Sequence, residues 1–152
     1  MSNIKITLPD KSVKEFSRGS TPQDIASSIG PALSKAVVVS KIDGVLMDLN
    51  TEIKKDCNLE LFTGETSEGH DTLLHSTAHL MAQAVKELFP KAKVSIGPTI
   101  DSGFYYDFDV ENTFTENDLL IIEQKMKELA KSNQNILRKE VSAKEALKIF
   151  NK

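Results

Sequence analysis

Two of the chain's three histidines, His75 and His79, stand four residues apart in LLHSTAHLMAQAVKELFP, residues 73–90, a segment otherwise patterned as an apolar helix. Four residues of α-helix advance about 40° beyond a full turn, so the two imidazoles project side by side. Three chemistries fit such a pair: half of a metal shell, a station that positions water and moves protons, or two histidines satisfied within a core. As a zinc pair the spacing matches one face of a zincin helix, but Ser76 stands where such a protease carries its Glu base. Further ligands are scarce, because Cys57 lies in an earlier, differently patterned region and His70 falls roughly 140° around the helix from His75. No metal site is therefore expected in this chain. Leu74, Met81, Val85 and Leu88 spread apolar surface around the helix. That predicts wide burial, with the histidines bordering a cavity and both rings kept neutral near pH 7.

The other residues able to shape a site lie downstream in KVSIGPTIDSGFYYDFD, residues 93–109. Alternation puts Phe104, Tyr106 and Phe108 on one face of an extended run, and Tyr105, Asp107 and Asp109 on the other. The phenylalanines are expected in a core, whereas the Tyr106 hydroxyl needs a partner. Gly97 allows close approach of backbone to a ligand, and beside Pro98 it equally suits a turn. Asp101 to Gly103 reads as a hairpin turn, and His70 as a solvated residue of a linker or first helical turn.

The elements that must hold these residues can be read around them. IKITLP and VKEFS alternate about the turn DKS, a hairpin signature. STPQDIASSIG has a Ser/Thr start, Pro22 in the first turn and Gly30 at the stop of a helix. KAVVVSKIDGVLMDL gives two β-rich runs about Asp43-Gly44, and CNLELFT a last strand. That order is the order of a β-grasp, ubiquitin-like module ending near Thr63, and the polar TGETSEGHD reads as a linker. The second part is expected to begin with a helix from about Ser67 to Phe89, stopped by Pro90. Two extended runs follow. A helix over TENDLLIIEQKMKELAKSN has Thr115 as its cap, acidic residues first and lysines last. NILRKEV reads as a strand, and SAKEALKIF starts a further helix. The fold class is α+β in two domains, residues 1–64 and 65–152, with a modest interface and some relative motion.

Composition bounds the rest. With 39% hydrophobic and 27% charged residues among 152, the chain is neither a disordered tail nor a fibre. A net charge of -3 argues against a broad basic grip on nucleic acid by this chain alone. MSNIKITLPD lacks a basic segment before an apolar run, and no stretch suits a bilayer span, so a soluble intracellular protein is expected. The single Cys57 allows no intrachain disulfide, which fits a reducing compartment.

Taken together and in order, ITLPDKSVKEF, DIASSIG, SKAVVVSKIDGVLMDL, HSTAH, LMAQAVKELFP and KVSIGPTIDSGFYYDFD resemble the N-terminal region of bacterial-type threonyl-tRNA synthetases. The resemblance covers nearly the whole chain. It implies that residues 1–64 are a TGS domain and that residues 65–152 are the first part of an editing domain, which hydrolyses seryl-tRNA(Thr) formed in error. It further implies that His75 and His79 are the catalytic, helix-borne half of the editing site, acting on water and protons and not as metal ligands. Tyr106 matches a pocket-lining tyrosine, and Gly97 is placed with it as substrate-binding.

A physical need for such a site exists independently. Serine lacks one methyl of threonine, and a pocket resolves a missing methyl by only about 1–3 kcal/mol. The family's editing domain also has a second half, with a Cys and a His close in sequence plus a Lys and an Asp, beyond ALKIFNK. The chain is therefore expected to be a fragment, inactive by itself and without a cofactor. The resemblance implies a cytoplasmic parent enzyme, homodimeric through absent domains, that uses ATP, Mg and Zn in an absent catalytic domain. Its partner would be the acceptor end of tRNA(Thr), with neither membrane nor DNA. The alternative is a TGS-containing binding or regulatory module at the front of another enzyme, such as a nucleoside kinase, in which the histidines serve structure only.

Overall fold

β1 (Asn3–Thr7) turns Ile4 and Ile6 inward and Asn3 and Lys5 outward, the period-two burial of a strand with one covered face. A computed structural model describes this and the rest of the chain over residues 3–134, 136 and 139–150. β1 pairs antiparallel with β2 (Val13–Ser17). α1 (Pro22–Ile29) begins at Thr21, whose backbone N–H donates to the Asp24 carboxylate at 2.9 Å while its hydroxyl accepts from the Asp24 N–H at 3.2 Å. This reciprocal cap, with Pro22 in the first turn, is the N-terminus that the residue types favour. Gly30 ends α1 and at once begins α2 (Pro31–Ala36), a short helix that the sequence reading, which took Gly30 only as a stop, does not anticipate.

β3 (Val37–Ile42) and β4 (Val45–Met47) form a hairpin whose loop residues, Asp43 and Gly44, have φ of 48° and 83°. Both lie in the left-handed region that a type I′ two-residue hairpin loop requires, hence Asp-Gly. β5 (Cys57–Thr63) then enters between β1 and β3, parallel to the first and antiparallel to the second. The sheet order β2-β1-β5-β3-β4, with first and last strands adjacent, is the expected β-grasp. Ile4, Ile6, Ile25, Ile53, Cys57 and Leu59 form its core, with Leu8, Phe16, Ile42 and Leu61 packed against them. Each such aliphatic side chain contributes about 1.5–3 kcal/mol through burial. Ser40, the buried polar residue of this region, donates its hydroxyl to the Met47 carbonyl at 3.0 Å, so no polar atom is stranded. Burial of Cys57, and then the nearby Asp43 carboxylate, push its thiol above the usual range.

The polar stretch after β5 is structured rather than a free linker. The Thr66 N–H and hydroxyl both donate to the Thr63 carbonyl, at 3.1 and 2.8 Å, closing a β-turn. Thr66 is at the same time the N-cap of α3 (Ser67–Leu88), its hydroxyl accepting from the Gly69 N–H at 3.1 Å. α3 packs against β3 and β5. Lys41 of β3 reaches Glu68 of α3 at 3.2 Å and lies 5.0 Å above the Phe62 ring centroid. Beyond α3 come four short strands, β6 (Lys93–Val94), β7 (Thr99–Ile100), β8 (Gly103–Phe104) and β9 (Phe108–Asp109). Contacts group all of this, residues 1–113, into one compact unit and residues 114–152 into another.

The second unit contains α4 (Glu116–Lys131) and α5 (Ala143–Phe150). Thr115 caps α4 as expected, exchanging hydrogen bonds with Asp118 as Thr21 does with Asp24. Ser142 and Glu145 repeat the device at α5. The strand expected over NILRKEV falls partly on Asn135, Leu137 and Arg138, outside the described residues, and its described residues form none. Among the described residues, no helix is long and apolar enough to cross a membrane.

Candidate functional site

The buried stripe of α3 is built from small residues. Ala78, Ala82 and Val85 recur at helical spacing and are buried, whereas Leu73 is 43% exposed. His75 and His79 lie on the flank of that stripe, about 60° and 100° around the axis from Ala78. Both are exposed, which corrects the expectation of a widely buried helix with histidines at a cavity. The physical reason is the helical repeat: Leu74, Ala78, Met81, Ala82, Ala84, Val85 and Leu88, all buried or half-buried, share one broad face, and the histidines lie beyond its edge. The predicted side-by-side projection holds: the two rings have centroids 4.5 Å apart and planes tilted by 44°. Between them, the Ser76 and Thr77 hydroxyls donate back to the Thr72 and Leu73 carbonyls at 2.8 and 2.7 Å, so their donors serve the helix itself. His70 is exposed in the first turn of α3, apart from the pair. The pair can therefore hold a water molecule and exchange protons with solvent, but no wall of the described chain encloses it.

The four short strands make one antiparallel ribbon. β6 pairs with β9 and β7 with β8, and between them Ser95 donates to the Asp107 carbonyl at 3.0 Å while Asp107 donates to the Ile96 carbonyl at 2.9 Å. Ser95 and Ile96 thus both face Asp107, which is a β-bulge. The bulge shifts the register by one and sets Gly97 opposite Tyr106. A Cβ built on Gly97 would overlap Cδ2 and Cε2 of the Tyr106 ring and lie 2.8 Å from its Cγ. The glycine is therefore required by this contact, since its φ is not in the left-handed region. Tyr106 also stacks on Phe108, with centroids 5.0 Å apart and planes at 19°.

The ribbon thus brings together two of the residues singled out from sequence, Gly97 and Tyr106, and adds Phe108 to them. Phe104, Tyr106 and Phe108 share the half-buried face and Tyr105, Asp107 and Asp109 the exposed one, as alternation requires. Phe104 and Phe108 are half-buried rather than core. Asp101 and Ser102 form the ribbon's tip between Ile100 and Gly103. The bulge itself carries no residue-type signal by which sequence reading could find it. Lys86 fixes the ribbon's entry, donating to the Pro90 and Ala92 carbonyls, both at 2.8 Å. Among the described residues no three of His, Cys, Asp and Glu gather as a metal shell would need.

Residues 4–63 match the family described as the TGS domain. Over 150 residues, 99% of the chain, it is 54% identical to a threonine–tRNA ligase of Pelobacter propionicus, covering 24% of that protein. Threonine–tRNA ligases of Legionella pneumophila and a Geobacillus species are 49% and 46% identical over 99% and 97% of the chain, with 23% of each covered. The chain spans about a quarter of the length of the curated relatives it matches. A module in front of some other enzyme finds no support among them. Residues 4–63 are a TGS domain of β-grasp fold, and the chain is similar along almost its entire length to the N-terminal region of threonyl-tRNA synthetases.

Proposed function

We propose that this chain is the N-terminal part of a threonine–tRNA ligase, with residues 1–64 as its TGS domain and residues 65–152 as the first part of an editing domain. In this reading α3 and the ribbon supply one wall of the site that hydrolyses seryl-tRNA(Thr). The observation that carries it is the exposed His75–His79 pair, rings 4.5 Å apart, in a chain similar to such ligases over 99% of its length. Hydrolysis of an aminoacyl ester needs a placed water, a base for its proton, an acid for the departing ribose oxygen and donors for the developing oxyanion. Two adjacent imidazoles suit the first three tasks. One takes the proton as water attacks the carbonyl carbon and, as the imidazolium so formed, delivers it to the departing ribose oxygen when the ester C–O bond breaks, while its neighbour holds the water. Tyr106, held over Gly97, offers a ring and a hydroxyl to the substrate.

The wider properties follow as proposals from the same similarity. The partner is the acceptor end of tRNA(Thr), and the compartment is the cytoplasm. The complete enzyme joins threonine to tRNA using ATP, with Mg and Zn in a catalytic domain outside these 152 residues, and it is a homodimer. Among the described residues none gather as a shell for either metal, and no step here runs through one.

Deacylation of seryl-tRNA(Thr) by the full gene product tests the reading. His75→Ala and His79→Ala should each slow it by about a hundred- to ten-thousand-fold, the usual worth of positioned acid–base groups. The 152-residue chain alone should be far slower than the full protein, because groups acting as a unit lose most of their effect when some are missing. Wild-type rates from both alanine variants would refute the assignment.

A further inference from the structure

Two glycines mark the passage from β5 into α3, Gly64 just before the helix and Gly69 in its first turn, and both are closed in. A Cβ on Gly64 would stand 2.7 Å from Leu73 Cδ1, and one on Gly69 would overlap the Thr63 carbonyl oxygen and come within 2.6 Å of its carbon. By contrast, Gly19, Gly30 and Gly44 have nothing within 4 Å of such an atom. Glycines that serve a flexible linker face open space, as those three do. Gly69 instead occupies the first turn of a helix, where alanine is the better residue, and there it lets helix backbone meet strand backbone. Two further ties cross the same point. Thr66 bonds both the end of β5 and the start of α3, and Lys41 bridges from β3 to Glu68 over the Phe62 ring.

From this geometry we infer that Gly69, Thr66 and the Lys41–Glu68 pair form a locked joint, which makes the β-grasp and the histidine helix one rigid body. Gly69 and Lys41 are thereby positioning residues for His75 and His79: the sheet sets the direction in which the pair faces. Only the use of the pair rests on the proposed function. The joint itself stands or falls on orientation alone.

The test is weak alignment of the 152-residue chain and measurement of amide residual dipolar couplings. In the wild type, couplings from residues 3–63 and from residues 67–109 should fit one alignment tensor. Gly69→Ala should split them into two, because the added methyl meets the Thr63 carbonyl, whereas Gly30→Ala, with open space, should not. Lys41→Met keeps the stem over Phe62 but removes the charge and should also separate the tensors, with Lys41→Arg restoring one. Lys41 is partly exposed, so this variant decides the matter if Gly69→Ala does not fold. Two tensors in the wild type would overturn the proposal. So would a folded Gly69→Ala together with Lys41→Met that both keep the wild-type tensor.

Discussion

Replacing Gly97 by alanine should destabilise the ribbon through a single clash. Gly97 is not among the glycines of positive φ, so the substitution avoids the left-handed penalty and would by itself stabilise the chain by about 0.4–1 kcal/mol through the unfolded state. Against this, the new methyl needs space that Cδ2, Cε2 and Cγ of Tyr106 fill, and the ring is also stacked with Phe108, their centroids 5.0 Å apart. Overpacking of this kind costs about 1–3 kcal/mol. The net expectation is a loss on the order of 1–2 kcal/mol for Gly97→Ala, from the difference of those two magnitudes. A double-mutant cycle with Tyr106→Ala, followed by urea unfolding, isolates the contact. Once the ring is gone, the same glycine substitution should be neutral or slightly stabilising, so the cycle should show coupling of about 1–3 kcal/mol. Equal cost in both backgrounds would refute the packing argument, as would Gly97→Ala leaving the Tyr106 and Phe108 ring resonances unmoved.

Thr115→Ala removes the cap of α4 and should cost about 1 kcal/mol, read as faster amide exchange through the helix's first turns. The Thr115 hydroxyl and then its backbone N–H hold the Asp118 carboxyl below the usual range, and the backbone N–H and then the hydroxyl of Ser142 and of Thr21 do the same for Glu145 and Asp24. A group whose folded pKa is depressed contributes stability that is complete above its unfolded value, about 4, and is lost as pH falls through the folded value. Acid titration followed by circular dichroism should therefore show helix loss setting in below pH 4 and not above it. After dialysis against a chelator, the purified chain should retain no equivalent of zinc, and metal analysis giving one equivalent that His79→Ala releases would contradict this. Hydrogen exchange should be faster over residues 114–150 than over residues 3–63. In the former stretch Leu119, Leu120 and Ile121 are 58%, 65% and 41% exposed, while the latter holds the β-grasp core.

The β-grasp is readable because its strands have one covered face and therefore alternate, and because Asp43-Gly44 suits the paired positive-φ backbone of a type I′ two-residue hairpin loop. Helix α2 is not, since a glycine read as the end of one helix hides a proline that begins the next. In α3 the histidines' mutual placement followed from the helical repeat, but their exposure did not. Hydropathy ranks leucine above alanine, whereas close packing chose Ala78 and Ala82 over Leu73. The pairing of Gly97 with Tyr106 depends on a one-residue slip of register, fixed by two backbone hydrogen bonds at Asp107 to which any side chain could belong. Gly69 carries a signal of its own: a glycine in a helix's first turn, where nothing local calls for one.

Cys57 offers a clock. It is the chain's only thiol, it sits among Ile4, Ile6 and Leu59, and burial keeps it protonated at neutral pH, so alkylating reagents find neither access nor thiolate while the sheet is closed. Each labelling event then counts one opening of the β-grasp. The modification rate in native buffer, divided by that of the denatured chain, gives the fraction of time the sheet spends open, without any engineered probe.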